Sequence, residues 1–206
     1  MEAAFWVALT LAGPAAARAI ERRLVARLEP WAAEVGFWSS AAYGVLPLYA
    51  AWITGAVIGR ECGIAGISPA AWLSGIVISG LLLGFLGVAL RVPSVNRLVR
   101  AWYNPGGSWL VLFDEPRWAF YRGAGAVAVL DAGAAQLIGL VLGAIEWAIR
   151  GGRPARDTPP LVWSGLVRLG VSAGLFALTH NLWLILLVQA AAQALLLRST
   201  EASPPP

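Results

Sequence analysis

CGIAGISPAAWLSGIVISGLLLGFLGVAL, residues 62–90, runs for twenty-nine positions without a charged side chain. Crossing the hydrocarbon core of a bilayer as a helix takes about 20 predominantly apolar residues, so this stretch alone predicts a transmembrane span. It ends at Arg91, and the stretch before it, residues 36–59, is equally free of charge and ends at Arg60. A third apolar block, residues 123–149, contains Asp131 and Glu146. Residues 161–197 are long enough for two spans, with Arg168 inside the first and His180-Asn181 between them. The expected fold class is all-α: a polytopic transmembrane helical bundle of about five spans, with four as the alternative count.

Composition leads the same way. Of 206 residues, 59% are hydrophobic and 13% charged, whereas soluble domains carry about a quarter charged residues. The chain holds too much Trp, Leu and Val for a disordered or collagen-like protein. A net charge of +4 raises the question of nucleic acid. All fifteen basic residues are Arg, and they fall between the apolar blocks and not along one stripe, which is the pattern of loop anchors and not of a phosphate-tracking surface. A GC-rich genome accounts for the absence of Lys. One cysteine, Cys62, and one histidine, His180, exclude an internal disulfide and a zinc site of Cys and His ligands. No metal or cofactor is expected, and the expected partner is the lipid bilayer, not nucleic acid.

Residues 1–35 read as an N-terminal interfacial segment. Its apolar part, residues 3–17, is short for a span, contains Pro14 and leads into an Arg/Glu-rich stretch, as in an amphipathic or partly inserted helix. A cleaved signal peptide is the other reading, but its n-region would hold Glu2 and no basic residue. Residues 36–92 read as a two-helix membrane hairpin, 93–198 as a membrane core and 199–206, STEASPPP, as a disordered tail. The largest polar connection, residues 91–122, carries Arg91, Arg97, Arg100, Arg117 and Arg122. Counting flanking Arg places that loop in the cytoplasm and the protein in the cell membrane as a multi-pass chain. Three glycine pairs, Gly55/Gly59, Gly80/Gly84 and Gly139/Gly143, have the four-residue spacing that lets membrane helices approach closely.

Ionisable groups at membrane depth are costly unless paired or wetted, which makes Asp131 and Glu146 candidates. On one helix they would be about 22 Å apart along the axis and about 60° apart around it; solvation near an interface is the plainer reading for Asp131, while for Glu146 it, or snorkelling beside Trp147 and Arg150, stands level with a functional role. The densest constellation is FDEPRWAFYRG, residues 113–123. Pro116 suits a first helical turn and Asp114-Glu115 suit its positive end, so a helix begins there. Arg122, two turns after Glu115, returns to nearly the same face. A carboxylate and a guanidinium so placed can hold water or a substrate carbonyl; an ordinary interfacial helix, with Trp118 and Tyr121 in the aromatic belt, is the competing reading. Near the C-terminus, His180 and Asn181 mark a turn, and Gln189 and Gln193 share a face from which their amides can donate into a bundle.

These residues resemble the motifs of the CPBP family, the CAAX prenyl endopeptidases and bacteriocin-processing intramembrane proteases, over roughly Phe113 to Leu197. The family's Glu-Glu-x-x-x-Arg motif corresponds to Asp114-Glu115 with Arg122-Gly123, the interval three residues longer. Its closing His-x-x-x-Asn motif follows a small-residue-Leu-Trp start by about eight positions; here Asn181-Leu182-Trp183 leads at that offset to Gln189, with Gln193 four further on. The middle Phe-x-x-x-His motif has two counterparts, Phe176 to His180, or Glu146 by order along the chain. The resemblance implies an intramembrane endopeptidase acting on a membrane-embedded or lipidated peptide. Glu115 would activate water, Asp114 would be its neighbour and Arg122 would orient it. Gln189 and Gln193, with His180 or Glu146, would stand on the carbonyl side. An amide donates a hydrogen bond but cannot exchange a proton as imidazole does, so the same layout also fits an inactive member. The alternative is a non-enzymatic membrane protein, a complex subunit, assembly factor or transport component, suggested by eleven Trp and glycine-rich helix faces. An ion path through Asp131 and Glu146 is a third reading, with few carboxylates to sustain it.

Overall fold

The computed structural model describes residues 2–24, 32–103, 112–129, 131–151 and 159–201. Among these residues every regular element is helical, with no strand: α1 Glu2–Leu24, α2 Ala32–Ile53, α3 Pro69–Ala89, α4 Pro93–Tyr103, α5 Asp114–Ala128, α6 Ala132–Gly151, α7 Pro159–Thr179 and α8 Leu182–Glu201. The all-α class is as expected. The tail from residue 202 onward, and residues 25–31 of the Arg/Glu-rich stretch, lie outside the described residues.

Helix boundaries follow local chemistry. Ser68 accepts from the Ala71 N–H and Pro69 occupies the first turn of α3, where a missing N–H costs nothing. Pro93 likewise opens α4. Asp131 accepts from the Ala134 N–H at 2.7 Å to start α6, and Asn181 accepts from the Leu184 N–H at 3.2 Å to start α8. Between α7 and α8, His180 takes a left-handed φ of 45° that reverses the chain. The predicted turn at His180-Asn181 is therefore present.

The helices group into two units. The first comprises Met1–Cys62 and Phe113–Gly152, and so holds α1, α2, α5 and α6; the second comprises Gly63–Leu112 and Arg153–Pro206, and holds α3, α4, α7 and α8. Consecutive helices α2 and α3 thus belong to different units, although residues 36–92 read as a single hairpin.

One expectation needs correction. Residues 123–149 do not form one continuous helix: α5 ends at Ala128, the Asp131 cap starts α6 at Ala132, and the long apolar part is confined to Ala132–Ile149. α5 and α6 pack as an antiparallel hairpin: a Cβ at Gly125 would lie 2.5 Å from the Ala135 carbonyl oxygen, and one at Gly139 would lie 2.8 Å from Arg122 Cγ. Of the three glycine pairs, Gly139 of Gly139/Gly143 sits at this helix–helix approach, and Gly59 lies against the Trp52 side chain. Gly80 and Gly84 face open space, and Gly55, at φ 75°, lies in the turn after α2.

Among the described residues two helices are long and apolar enough to cross a membrane, Pro69–Ala89 and the Ala132–Ile149 part of α6, with 11% and 22% of their apolar windows buried. Glu2–Gly13, Ala41–Ile53, Gly165–Thr179 and Leu182–Arg198 are shorter apolar helical stretches.

Candidate functional site

The first unit is built around a buried guanidinium. Three residues separate Asp114 from Arg117, which on a helix puts them on one face, and Arg117 Nη2 donates to Asp114 Oδ1. Because α6 returns alongside α5, Glu146 arrives beside the same side chain, and Arg117 Nε donates to Glu146 Oε2 at 2.7 Å. The Arg117 guanidinium also stacks 4.9 Å from the centre of the Tyr43 ring on α2, a cation–π contact. Tyr43 Oη donates to the Thr10 carbonyl of α1 at 2.6 Å and lies 3.3 Å from Glu146 Oε1. One proton cannot serve both acceptors fully, so the shorter contact to Thr10 dominates. Arg117 is 2% exposed and Glu146 1%. A single buried network therefore ties α1, α2, α5 and α6 together.

A second charge pair lies on another face of α5. Glu115 is 1% exposed, and its carboxylate acts electrostatically on the buried Arg122 guanidinium two turns on, as the seven-residue spacing predicts. Beside Arg122 the helix has Gly123, where a Cβ would lie 2.3 Å from Cys62 Sγ. Burial pushes the Cys62 thiol up to about 12, against the opposing effect of Arg122, so this cysteine is an inert packing group at neutral pH. Every residue from Glu115 to Gly125 is buried. α5 is thus a core helix, and Trp118 and Tyr121 are core side chains, not belt residues.

The structure brings Asp114, Glu115, Arg122 and Glu146 into the first unit; His180, Gln189 and Gln193 belong to the second. His180 is exposed, with its ring edge 5.4 Å from Phe176. Gln189 and Gln193 are buried on α8, as are Asn181 and Ser172. Trp183 Nε1 donates to the Ile64 carbonyl at 3.0 Å and the Leu182 N–H to the Gly63 carbonyl at 2.9 Å. Asn181-Leu182-Trp183 therefore caps and docks α8 within its own unit. Asp131 is an exposed capping residue, which leaves the Asp131–Glu146 ion path with one carboxylate used as a cap and the other held by Arg117. A shallow groove lined by Glu2, Phe5, Trp6 and Thr54 includes none of the predicted site residues. Among the described residues no cluster of three His, Cys, Asp or Glu is placed to hold a metal ion.

Arg117 and Tyr43 are the residues that reading the sequence missed. Arg117 counted there as a loop anchor, and Arg122 with it; both are buried on α5. The Asp114/Arg117 spacing was a visible local signal, whereas Tyr43 gave none. Chemically, the cluster is an ion-paired strut. For Glu146 or Asp114 to take a proton from water, it would have to displace N–H donors already on its oxygens. No family model, curated protein or solved structure matches the chain.

Proposed function

We propose that this chain is a multi-pass membrane protein whose crossings are α2, α3, α7, α8 and both arms of the α5–α6 hairpin, and whose Asp114–Arg122 segment is a structural, charge-neutralised core and not a catalytic centre. The protein then acts by holding a partner in the membrane, as a complex subunit, assembly factor or transport component. The observation that carries this reading is an inversion of ordinary burial. α5, with four charged residues, is buried from Glu115 to Gly125, while apolar α3 buries only Gly75 and Ser79. Seven large apolar residues of α3 are exposed, with Phe85 at 75% and Leu81 at 71%. At about 1.5–3 kcal/mol for each fully buried large side chain, leaving them in water would forfeit on the order of 10 kcal/mol, comparable to a whole domain's stability. A lipid environment removes that cost.

The α5–α6 reversal also improves the charge balance across the bilayer. With α5 and α6 entering and leaving on one side, alternating crossings put eleven of the fifteen Arg on the side of loop 91–113 and only Arg60 on the other; Arg117, Arg122 and Arg168 lie within helices. That excess supports a cytoplasmic loop. Single-cysteine labelling in a Cys62→Ala background tests it, because Cys62 is the only cysteine. With a membrane-impermeant maleimide, Asp131→Cys and His180→Cys should label from one side and Arg97→Cys from the other. Labelling of all three from the same side would defeat the topology.

A second reading, a CPBP-like endopeptidase, is favoured by one observation: Glu115 and Arg122 interact on one face of α5, as the motif implies. Incubation of reconstituted protein with prenylated and unmodified membrane peptides separates the two. We expect no cleavage. Turnover abolished by Glu115→Gln and retained by Glu146→Gln would establish the protease instead.

A further inference from the structure

The end of α3 and the start of α4 combine three features that no other described surface shares. α3 exposes Phe85 and Val88 near its C-terminal end, and that apolar surface continues past the helix through exposed Val92 to exposed Leu98 on α4. Exposed cationic side chains stand in the same short segment, Arg91 and Arg97. On α4 the half-buried Val95 and Val99 are four apart and share a face, which fits the packing of α4 against α7. Arg97 lies about 160–200° around the axis from them, and Leu98 lies between. Finally, among the described residues no acid lies on α3, on α4 or on α7, which packs against α4, while residues 62–113 contain three Arg and no Asp or Glu.

An aqueous surface explains the arginines but not Leu98 and Val92, and a zwitterionic lipid surface explains the apolar residues but leaves the cationic excess unmatched. A bilayer surface carrying negative headgroups satisfies both, with Leu98 and Val92 at the acyl boundary and the guanidinium groups among phosphates. We propose that α4 and the turn before it form an in-plane anchor that gathers anionic phospholipid around Arg91 and Arg97. The proposal rests on the membrane reading above and deepens it by naming a ligand class. By the usual contribution of a basic residue at an anionic surface, each Arg strengthens the anchor's affinity for that surface about fivefold.

The test uses the full chain with Cys62→Ala and Leu98→Cys, carrying an environment-sensitive fluorophore at position 98, in vesicles of phosphatidylcholine with a minority of phosphatidylglycerol. Bromine is placed on one lipid or the other at equal mole fraction. Brominated phosphatidylglycerol should quench severalfold more than brominated phosphatidylcholine. The preference should vanish with Arg91→Gln and Arg97→Gln together, survive Arg91→Lys with Arg97→Lys, and weaken with salt. Equal quenching by the two lipids, or quenching by neither, overturns the proposal. Alkaline carbonate extraction of the same vesicles keeps the two inferences apart. A chain that resists extraction yet shows no lipid preference refutes the anionic anchor alone, whereas a chain released by carbonate refutes the membrane reading and the anchor with it.

Discussion

α5, with fifteen residues, and α3, with twenty-one, have opposite characters. α5 begins Asp-Glu-Pro-Arg and is buried along eleven consecutive residues; α3 has no charged residue and buries two. In water the arrangement would be upside down, because burying charge and exposing Leu, Ile and Phe both cost free energy. The difference teaches that burial here follows pairing and not apolarity. A polar helix goes inside when its charges find each other, and an apolar helix stays outside when the medium is apolar too.

The sharpest way to break the comparison is to remove the pairing. Arg117→Ala leaves the Glu146 carboxylate buried without its guanidinium and should cost about 3–5 kcal/mol, read as a large drop in thermal midpoint in detergent or as failure to accumulate. Replacing Asp114, Arg117 and Glu146 together with Asn, Met and Gln should recover much of the loss. A midpoint unchanged by Arg117→Ala would mean that ion pairing does not hold α5 inside.

The opposite half is tested at Leu81, 71% exposed on α3. Leu81→Arg should cost about 2.5–3.5 kcal/mol if α3 spans a bilayer, as seen in a membrane-insertion assay. On a water-facing helix the same change would be harmless, and that outcome would end the membrane reading.

Packing gives a smaller contrast. Gly125→Val places its Cβ against the Ala135 backbone and should cost about 1–3 kcal/mol. Gly84→Val, facing open space, should stay within about 0.5 kcal/mol in the same melt. Least of all, Asn181→Ala removes the α8 cap at about 1 kcal/mol, and an equal loss from Asn181→Ser, which keeps a neutral capping oxygen, would argue against a capping role.

Much of the fold was legible because its signals are local. The acidic start at Asp114-Glu115-Pro116 announces a helix within a turn of itself, and the charge-free run of residues 62–90 needs no partner to be read. Spacing also predicted the Glu115–Arg122 relation, since both sit on one helix. The start of the third span was misplaced because the chemistry that sets it is one side chain: Asp131 is a buried liability in a continuous helix and a capping group in a hairpin. Arg117 was misread for the same kind of reason. A loop anchor and the centre of a buried strut are the same residue with different neighbours.

The sequence by itself determined that the chain is helical, that its apolar blocks are long and that its carboxylates are few, since these depend on composition and on spacings of a few residues. Only the tertiary structure decided which carboxylate each arginine meets. Glu146 lies twenty-nine residues from Arg117, and their contact exists because α6 folds back along α5, bringing both charges where water cannot compensate either and each must be matched by the other.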